Sequence, residues 1–181
     1  GEGGFSPPGT VYQDGGNGRL QAKDLDSDGL LDLIAGPPPS GVRLFKNLGG
    51  GAFSEGAAYQ TTENVRTFAL GDLDSDNRLD LVTYTETGLL SVFYGREGGS
   101  FADGQAVNPR RLECARIASG CRVRVADVNS DGRREIVVLS QGDILVYPNL
   151  GNRLFEFPPR RTVLLSGRPA DIALGDLDGG D

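Results

Sequence analysis

The chain has 181 residues and a formal charge of −7, from 25 acids against 18 bases. That length suffices for one domain with a real core or for part of a larger repeat domain, and the acidic balance excludes a general nucleic-acid surface, which needs clustered Lys and Arg to neutralise phosphates. With no histidine and two cysteines there are too few N and S ligands for a zinc site, and no apolar run reaches the ~20 residues of a spanning helix.

The chain opens on Gly1-Glu-Gly-Gly-Phe5, which matches the second half of a turn repeated further on. It therefore reads as starting in mid-motif, as a piece of a longer protein. A short strand-like run, Leu20–Lys23, comes next and leads into the acidic nonapeptide Asp24-Leu-Asp-Ser-Asp-Gly-Leu-Leu-Asp32. Two further runs follow, Leu31–Ile34 and Val42–Phe45, then the Gly-rich turn Asn47-Leu-Gly-Gly-Gly-Ala-Phe53 and a looser strand, Ala57–Thr61. The order then repeats. Thr67–Leu70 leads into Asp72-Leu-Asp-Ser-Asp-Asn-Arg-Leu-Asp80, followed by Leu79–Val82, Leu89–Tyr94 and the turn Gly95-Arg-Glu-Gly-Gly-Ser-Phe101. Val123–Ala126 leads into Asp127-Val-Asn-Ser-Asp-Gly-Arg-Arg-Glu135, followed by Glu135–Leu139, Ile144–Tyr147, the turn Asn149-Leu-Gly-Asn-Arg-Leu-Phe155 and Arg161–Leu165. A last run, Ile172–Leu174, precedes Asp176-Leu-Asp178.

The runs are short, rich in β-branched and aromatic residues, and bounded by Gly, Pro, Asn or Asp, which predicts strands; no window of helical length carries a 3.6-residue period. Four strands per repeat of about 50 residues predict an all-β chain, a β-propeller built of four-stranded antiparallel blades. Such a sheet covers both faces only by stacking on its neighbours. On this reading residues 1–18 end a preceding blade; 19–65, 66–116 and 117–168 are three complete blades; and 169–181 start another. Propellers typically have about 4–8 blades, so the ring is expected to be completed by the remainder of the same propeller or by an associated chain. Phe5, Phe53, Phe101 and Phe155 are expected to anchor the turns between neighbouring sheets.

The nonapeptide supplies what a hard cation requires, oxygens at alternate positions of a tight loop. The expected Ca²⁺ ligands in the first copy are Asp24, Asp26, Asp28, the Leu30 carbonyl and Asp32. In the second they are Asp72, Asp74, Asp76, the Arg78 carbonyl and Asp80, and in the third Asp127, Asn129, Asp131, the Arg133 carbonyl and Glu135. Asp176 and Asp178 begin a fourth, incomplete site. Position six needs a sharp turn and is Gly29, Asn77 or Gly132, types that accept positive φ. Position two, Leu25, Leu73, Val128 or Leu177, is expected to point into the core. An EF-hand is excluded, because position twelve is Ala35, Thr83 or Val138 where that loop needs a bidentate Glu. Ordinary Asp/Gly turns fit three in-phase copies poorly, since carboxylates forced together without a cation repel. Three bound divalent ions would bring the charge from −7 to −1.

Cys114 and Cys121 are seven residues apart, a span that a hairpin-like loop closed by a disulfide covers in an oxidising compartment. Two unpaired thiols are the other reading.

The repeated Asp-x-Asp-x-Asp-Gly-x-x-Asp loop with β flanks, together with the Asn/Gly-x-Gly-x-x-Phe turn, resembles the FG-GAP/VCBS repeats of integrin α-subunit propellers and of many bacterial secreted proteins. The literal Phe-Gly and Gly-Ala-Pro signatures of that family are absent. The resemblance implies a propeller with Ca²⁺ in loops on one face, an extracellular or cell-surface setting, and a role in adhesion or in binding a protein or glycan. No catalytic residue is expected. The alternatives are a non-catalytic propeller within a larger secreted enzyme, or a lectin using Tyr12, Tyr59, Tyr84 or Tyr94 as a sugar platform.

Overall fold

The computed structural model describes residues 19–36, 41–54, 56–61, 63–107, 121–140, 142–163 and 171–175. It is all-β, built of antiparallel pairings, with one single-turn 3₁₀ segment at Glu97–Gly99.

The first sheet contains β1 (Arg19–Lys23), β2 (Asp32–Gly36), β3 (Val42–Phe45) and, beyond a small hairpin of β4 (Asn47–Gly49) and β5 (Ala52–Phe53), β6 (Ala58–Tyr59). The second contains β7 (Val65–Gly71), β8 (Asp80–Thr85), β9 (Leu90–Phe93) and β10 (Gln105–Ala106). The third contains β11 (Arg122–Ala126), β12 (Glu135–Ser140), β13 (Asp143–Tyr147) and, after the hairpin β14 (Asn149–Gly151) and β15 (Leu154–Phe155), β16 (Arg160–Val163). Each sheet is a four-stranded meander in chain order. Residues 171–175, expected to hold a strand, form no ladder among the described residues.

The acidic loops enter all three sheets in one register. Lys23 pairs with Asp32, Gly71 with Asp80 and Ala126 with Glu135. The ninth loop residue is thus the first residue of the second strand each time.

Two apolar clusters join the sheets. Ile34, Val42 and Leu44 of the first sheet meet Phe68, Leu81 and Phe93 of the second. On the other face of the second sheet, Val82, Tyr84 and Val92 meet Val123, Ile136, Val138 and Tyr147 of the third. Strand alternation produces this split: Leu81 serves one cluster, Val82 and Tyr84 the other. Every residue of β8 is consequently buried. Phe101 behaves as the expected anchor. It is buried and meets Tyr59 of the first sheet edge to face, with ring centroids 5.1 Å apart. Phe53 and Phe155 are half-buried, and Phe5 lies outside the described residues. Cys121 is buried in the second cluster; Cys114 also lies outside the described residues.

Candidate metal centre

Each acidic loop turns through two left-handed residues. Position six carries φ of +84° at Gly29, +65° at Asn77 and +83° at Gly132, as the residue types predict. Position four does so as well, at Ser27 (+63°), Ser75 (+63°) and Ser130 (+59°). This serine stands in all three copies, although its residue type carries no signal for positive φ. These kinks point successive amides inward, where side-chain oxygens collect them. Gly29 N–H donates to Asp24 (2.9 Å), Asn77 N–H to Asp72 (3.0 Å) and Gly132 N–H to Asp127 (2.8 Å). Position seven donates to position five in the same way: Leu30 to Asp28, Arg78 to Asp76 and Arg133 to Asp131.

In the first loop Asp24, Asp26 and Asp28 converge, with one oxygen of each within 4.8 Å of the others. In the second loop Asp72, Asp74 and Asp80 do so. The third loop, with Asn129 in place of one acid, forms no such three-acid group among the described residues. Asp32 and Asp76 stand outside the two clusters, and Asp176 and Asp178 lie outside the described residues.

The clusters contain buried oxygens with nothing to bind. Asp24 Oδ1, Asp26 Oδ1 and Asp74 Oδ1 are shielded from solvent and have no hydrogen-bond partner among the described residues. A buried carboxylate oxygen with no donor costs free energy unless a cation takes the place of water. Oxygen-only donor sets of this kind suit a hard divalent ion, so the residues present fit one.

The ninth position does a second job that the sequence reading missed. Asp32, Asp80 and Glu135 are buried, at 2%, 0% and 1% exposure. Each accepts from the position-two N–H of its own loop: Leu25 at 3.2 Å, Leu73 at 2.7 Å and Val128 at 3.0 Å. The other oxygen accepts from the first residue of the Gly-rich turn: Asn47 at 2.8 Å, Gly95 at 2.7 Å and Asn149 at 3.5 Å. Glu135, one methylene longer than Asp, keeps both contacts.

The turn of one sheet covers the loop of the sheet before it. A Cβ placed on Gly99 would lie 3.1 Å from Leu25 Cβ and 3.2 Å from Asp26 Cβ. Asn149 Nδ2 donates to the Leu73 carbonyl at 2.7 Å, and Arg153 pairs with Asp74 at 2.7 Å. Leu25 and Leu73 are accordingly buried, at 8% and 3%. Val128 is 45% exposed, against the expectation for position two, because no turn of a following sheet lies over it among the described residues. Leu177 lies outside the described residues.

The charges inside the loops are tuned by these contacts. Burial, with Asp74 and Asp72 adding, pushes Asp80 from 3.8 up to about 6, against the two backbone N–H bonds. The Lys46 hydrogen bond holds Asp26 below the usual carboxylate range, and the Arg133 amide does the same for Asp131.

Residues 24–83 and 127–179, more than half of the chain, match the model of the FG-GAP-like repeat. The chain belongs to the FG-GAP-like repeat family. Both matched segments begin at the first residue of an acidic loop, and together they contain all three loops described above. No curated protein sequence matches the chain. Among solved structures, an FG-GAP-like chain of this kind is similar to an Agrocybe aegerita lectin that specifically recognises non-reducing terminal N-acetylglucosamine. The TM-score is 0.58 at 23% identity, over 80% of this chain and 37% of the lectin. It is also similar to the Photorhabdus luminescens Tc holotoxin pore, with a TM-score of 0.50 at 19% identity, over 83% of this chain and 7% of that one. These likenesses speak for the β-propeller fold, and the chain spans well under half of either structure.

Among the described residues of this FG-GAP-like chain, no helix is long and apolar enough to cross a membrane. Tyr84 and Tyr94 are buried, at 0% and 2% exposure, and so offer no face for stacking a sugar. Tyr59 packs on Phe93 and Phe101, and Tyr12 lies outside the described residues.

Proposed function

We propose that the chain is part of a calcium-binding β-propeller that works outside the cell as a non-catalytic module binding protein or glycan. The carrying observation is the pair of converging carboxylate clusters, with two buried oxygens in the first and one in the second that have no hydrogen-bond partner among the described residues. Calcium would be held by Asp24, Asp26 and Asp28 in the first loop, by Asp72, Asp74 and Asp80 in the second, and by Asp127, Asn129 and Asp131 in the third. The Leu30, Arg78 and Arg133 carbonyls, with Asp32, Asp76 and Glu135, complete the oxygen sets. Asp176 and Asp178 begin a fourth. The ion supplies positive charge that relieves carboxylate repulsion. The protein's own residues position the strands: position nine ties loop to turn, and the turn docks on the preceding sheet. Extracellular sites of this type work at about 0.1–1 mM calcium.

The sheets at residues 19–163 are read as three complete blades, with further blades from the remainder of the propeller or from an associated chain. Two acids outside the loops are engaged in structural contacts: Glu63 accepts from Thr85 at 3.2 Å and Glu86 faces Arg66 at 3.7 Å. This supports a non-catalytic role for the segment. A glycan ligand is the narrower reading, favoured by the likeness to the lectin. The Cys114–Cys121 disulfide belongs to the same extracellular reading.

Calcium titration of the purified chain, with bound metal counted, tests the proposal. About three ions per chain and a raised melting midpoint support it; no bound metal at millimolar calcium rejects it. A glycan array in calcium then separates lectin from protein adhesion.

A further inference from the structure

The third-position carboxylates of the first two loops share an arrangement that their own loops do not explain. In each, one oxygen is buried with no hydrogen-bond partner among the described residues while the other is held by a basic side chain. Asp26 Oδ1 is the unpartnered oxygen of the first loop, and its Oδ2 is bonded by Lys46. Asp74 Oδ1 is its counterpart, and its Oδ2 takes Arg153 Nε at 2.9 Å and the guanidinium again at 2.7 Å.

The two cations come from different places. Lys46 immediately precedes the turn of its own sheet, and its carbonyl accepts from Ser54 at 2.9 Å. The matching carbonyls belong to Tyr94, which accepts from Ala102 at 2.7 Å, and Pro148, which accepts from Glu156 at 2.9 Å. Arg153 is the fifth residue of the following sheet's turn, and its counterpart over the first loop is Gly99, packed against Leu25 and Asp26. Where the covering turn offers only a glycine, the loop's own sheet supplies Lys46. Where it offers Arg153, the Lys46 position is Tyr94, whose ring lies 4.2 Å beneath the guanidinium. The third loop has the neutral Asn129 at position three, and Pro148 at the Lys46 position.

We propose that Lys46 and Arg153 are resident counter-cations of the first and second ion sites, each sharing a third-position carboxylate with the bound ion. The inference rests on the calcium reading above. Each basic group lowers the negative charge offered to the ion and stabilises the metal-free loop, so it sets a weaker affinity than the bare carboxylates would give. At the second site the sharing also crosses between sheets, which links ion occupancy to docking of the third sheet on the second.

The test follows calcium chloride titrations through the backbone amide signals of Gly29, Asn77 and Gly132, one per loop, in the native chain and in Lys46→Met, Lys46→Arg and Arg153→Met. Removing one positive charge beside a divalent ion near the surface is worth about tenfold in dissociation constant. Lys46→Met should move the Gly29 midpoint about tenfold toward lower calcium and leave the Asn77 and Gly132 midpoints in place. Arg153→Met should do the same to Asn77 alone. Lys46→Arg, which keeps the charge, should stay close to the native midpoint. Both methionine variants should melt lower than the native chain in chelator. A Gly29 midpoint that is unchanged or moves to higher calcium in Lys46→Met, together with the same result at Asn77 in Arg153→Met, overturns the inference. If the native signals do not respond to calcium, the calcium reading itself falls, and the native titration alone reveals it.

Discussion

Asp80 is fully buried, and both of its oxygens accept backbone N–H groups, from Leu73 and Gly95, each at 2.7 Å. Asp80→Ala removes both acceptors and leaves one buried and one half-buried donor without them, which should cost roughly 2 kcal/mol. Urea unfolding in chelator at pH 7 measures this; a stability equal to the native chain would show that position nine is no staple. The same carboxyl sets a pH dependence. Its value is raised from 3.8 to about 6, so the metal-free fold binds this proton more tightly than the unfolded chain does. The resulting stability is full below about pH 4 and is lost as pH rises through about 6. In chelator the melting midpoint should therefore rise on acidifying from pH 7 to 5. Asp26, Asp76, Asp131 and Asp171 have lowered values and oppose this only in more acid solution. With saturating calcium the trend should reverse, because proton and ion compete for Asp80. A flat profile in chelator would contradict the assignment.

At the scale of elements, the close approach of β7 and β11 depends on Gly71. A Cβ there would lie 2.4 Å from Val125 Cγ1 and 2.8 Å from its Cβ, too near for any real contact. Gly71→Ala should cost roughly 1–3 kcal/mol through forced separation of the second and third sheets. Gly132→Ala, by contrast, meets nothing within 4 Å and leaves only the penalty of φ +83°, about 1 kcal/mol. Parallel denaturation of the two variants separates packing from backbone strain. The strands were legible because the loops recur in phase and their flanks are β-branched and aromatic. The common register followed from that repetition, with Lys23, Gly71 and Ala126 each opposite position nine. Position six was legible from residue type. Position four was not, because serine has no special tolerance of positive φ and only its recurrence could have marked it. The basic partner Arg153 was beyond the sequence for another reason: a turn's target is set by which sheet stacks on which. Val128 shows the same limit, since its burial depends on a neighbour and not on its own apolar character.

For the whole molecule, the loops lie between strands one and two of each four-stranded sheet, and the turns over the first two loops bind consecutive sheets. An ion bound there would act on strand pairing and on sheet stacking together. With calcium at about a hundred times its dissociation constant, one site adds about 2.7 kcal/mol to the folded state. In a chain of this size that corresponds to roughly 5–10 °C in melting midpoint. The second site is the one to watch, because Asn149, Arg134 and Arg153 of the third sheet all contact its loop, at Leu73, Asp72 and Asp74. Calcium should therefore protect β7 and β11 from hydrogen exchange as a pair. Asp74→Ala should abolish that joint protection and leave the Asp24–Asp32 loop responsive. Hydrogen exchange with and without calcium reads this directly. Protection confined to the 72–80 loop would mean that the ion orders its own loop and leaves the joint between sheets to apolar packing.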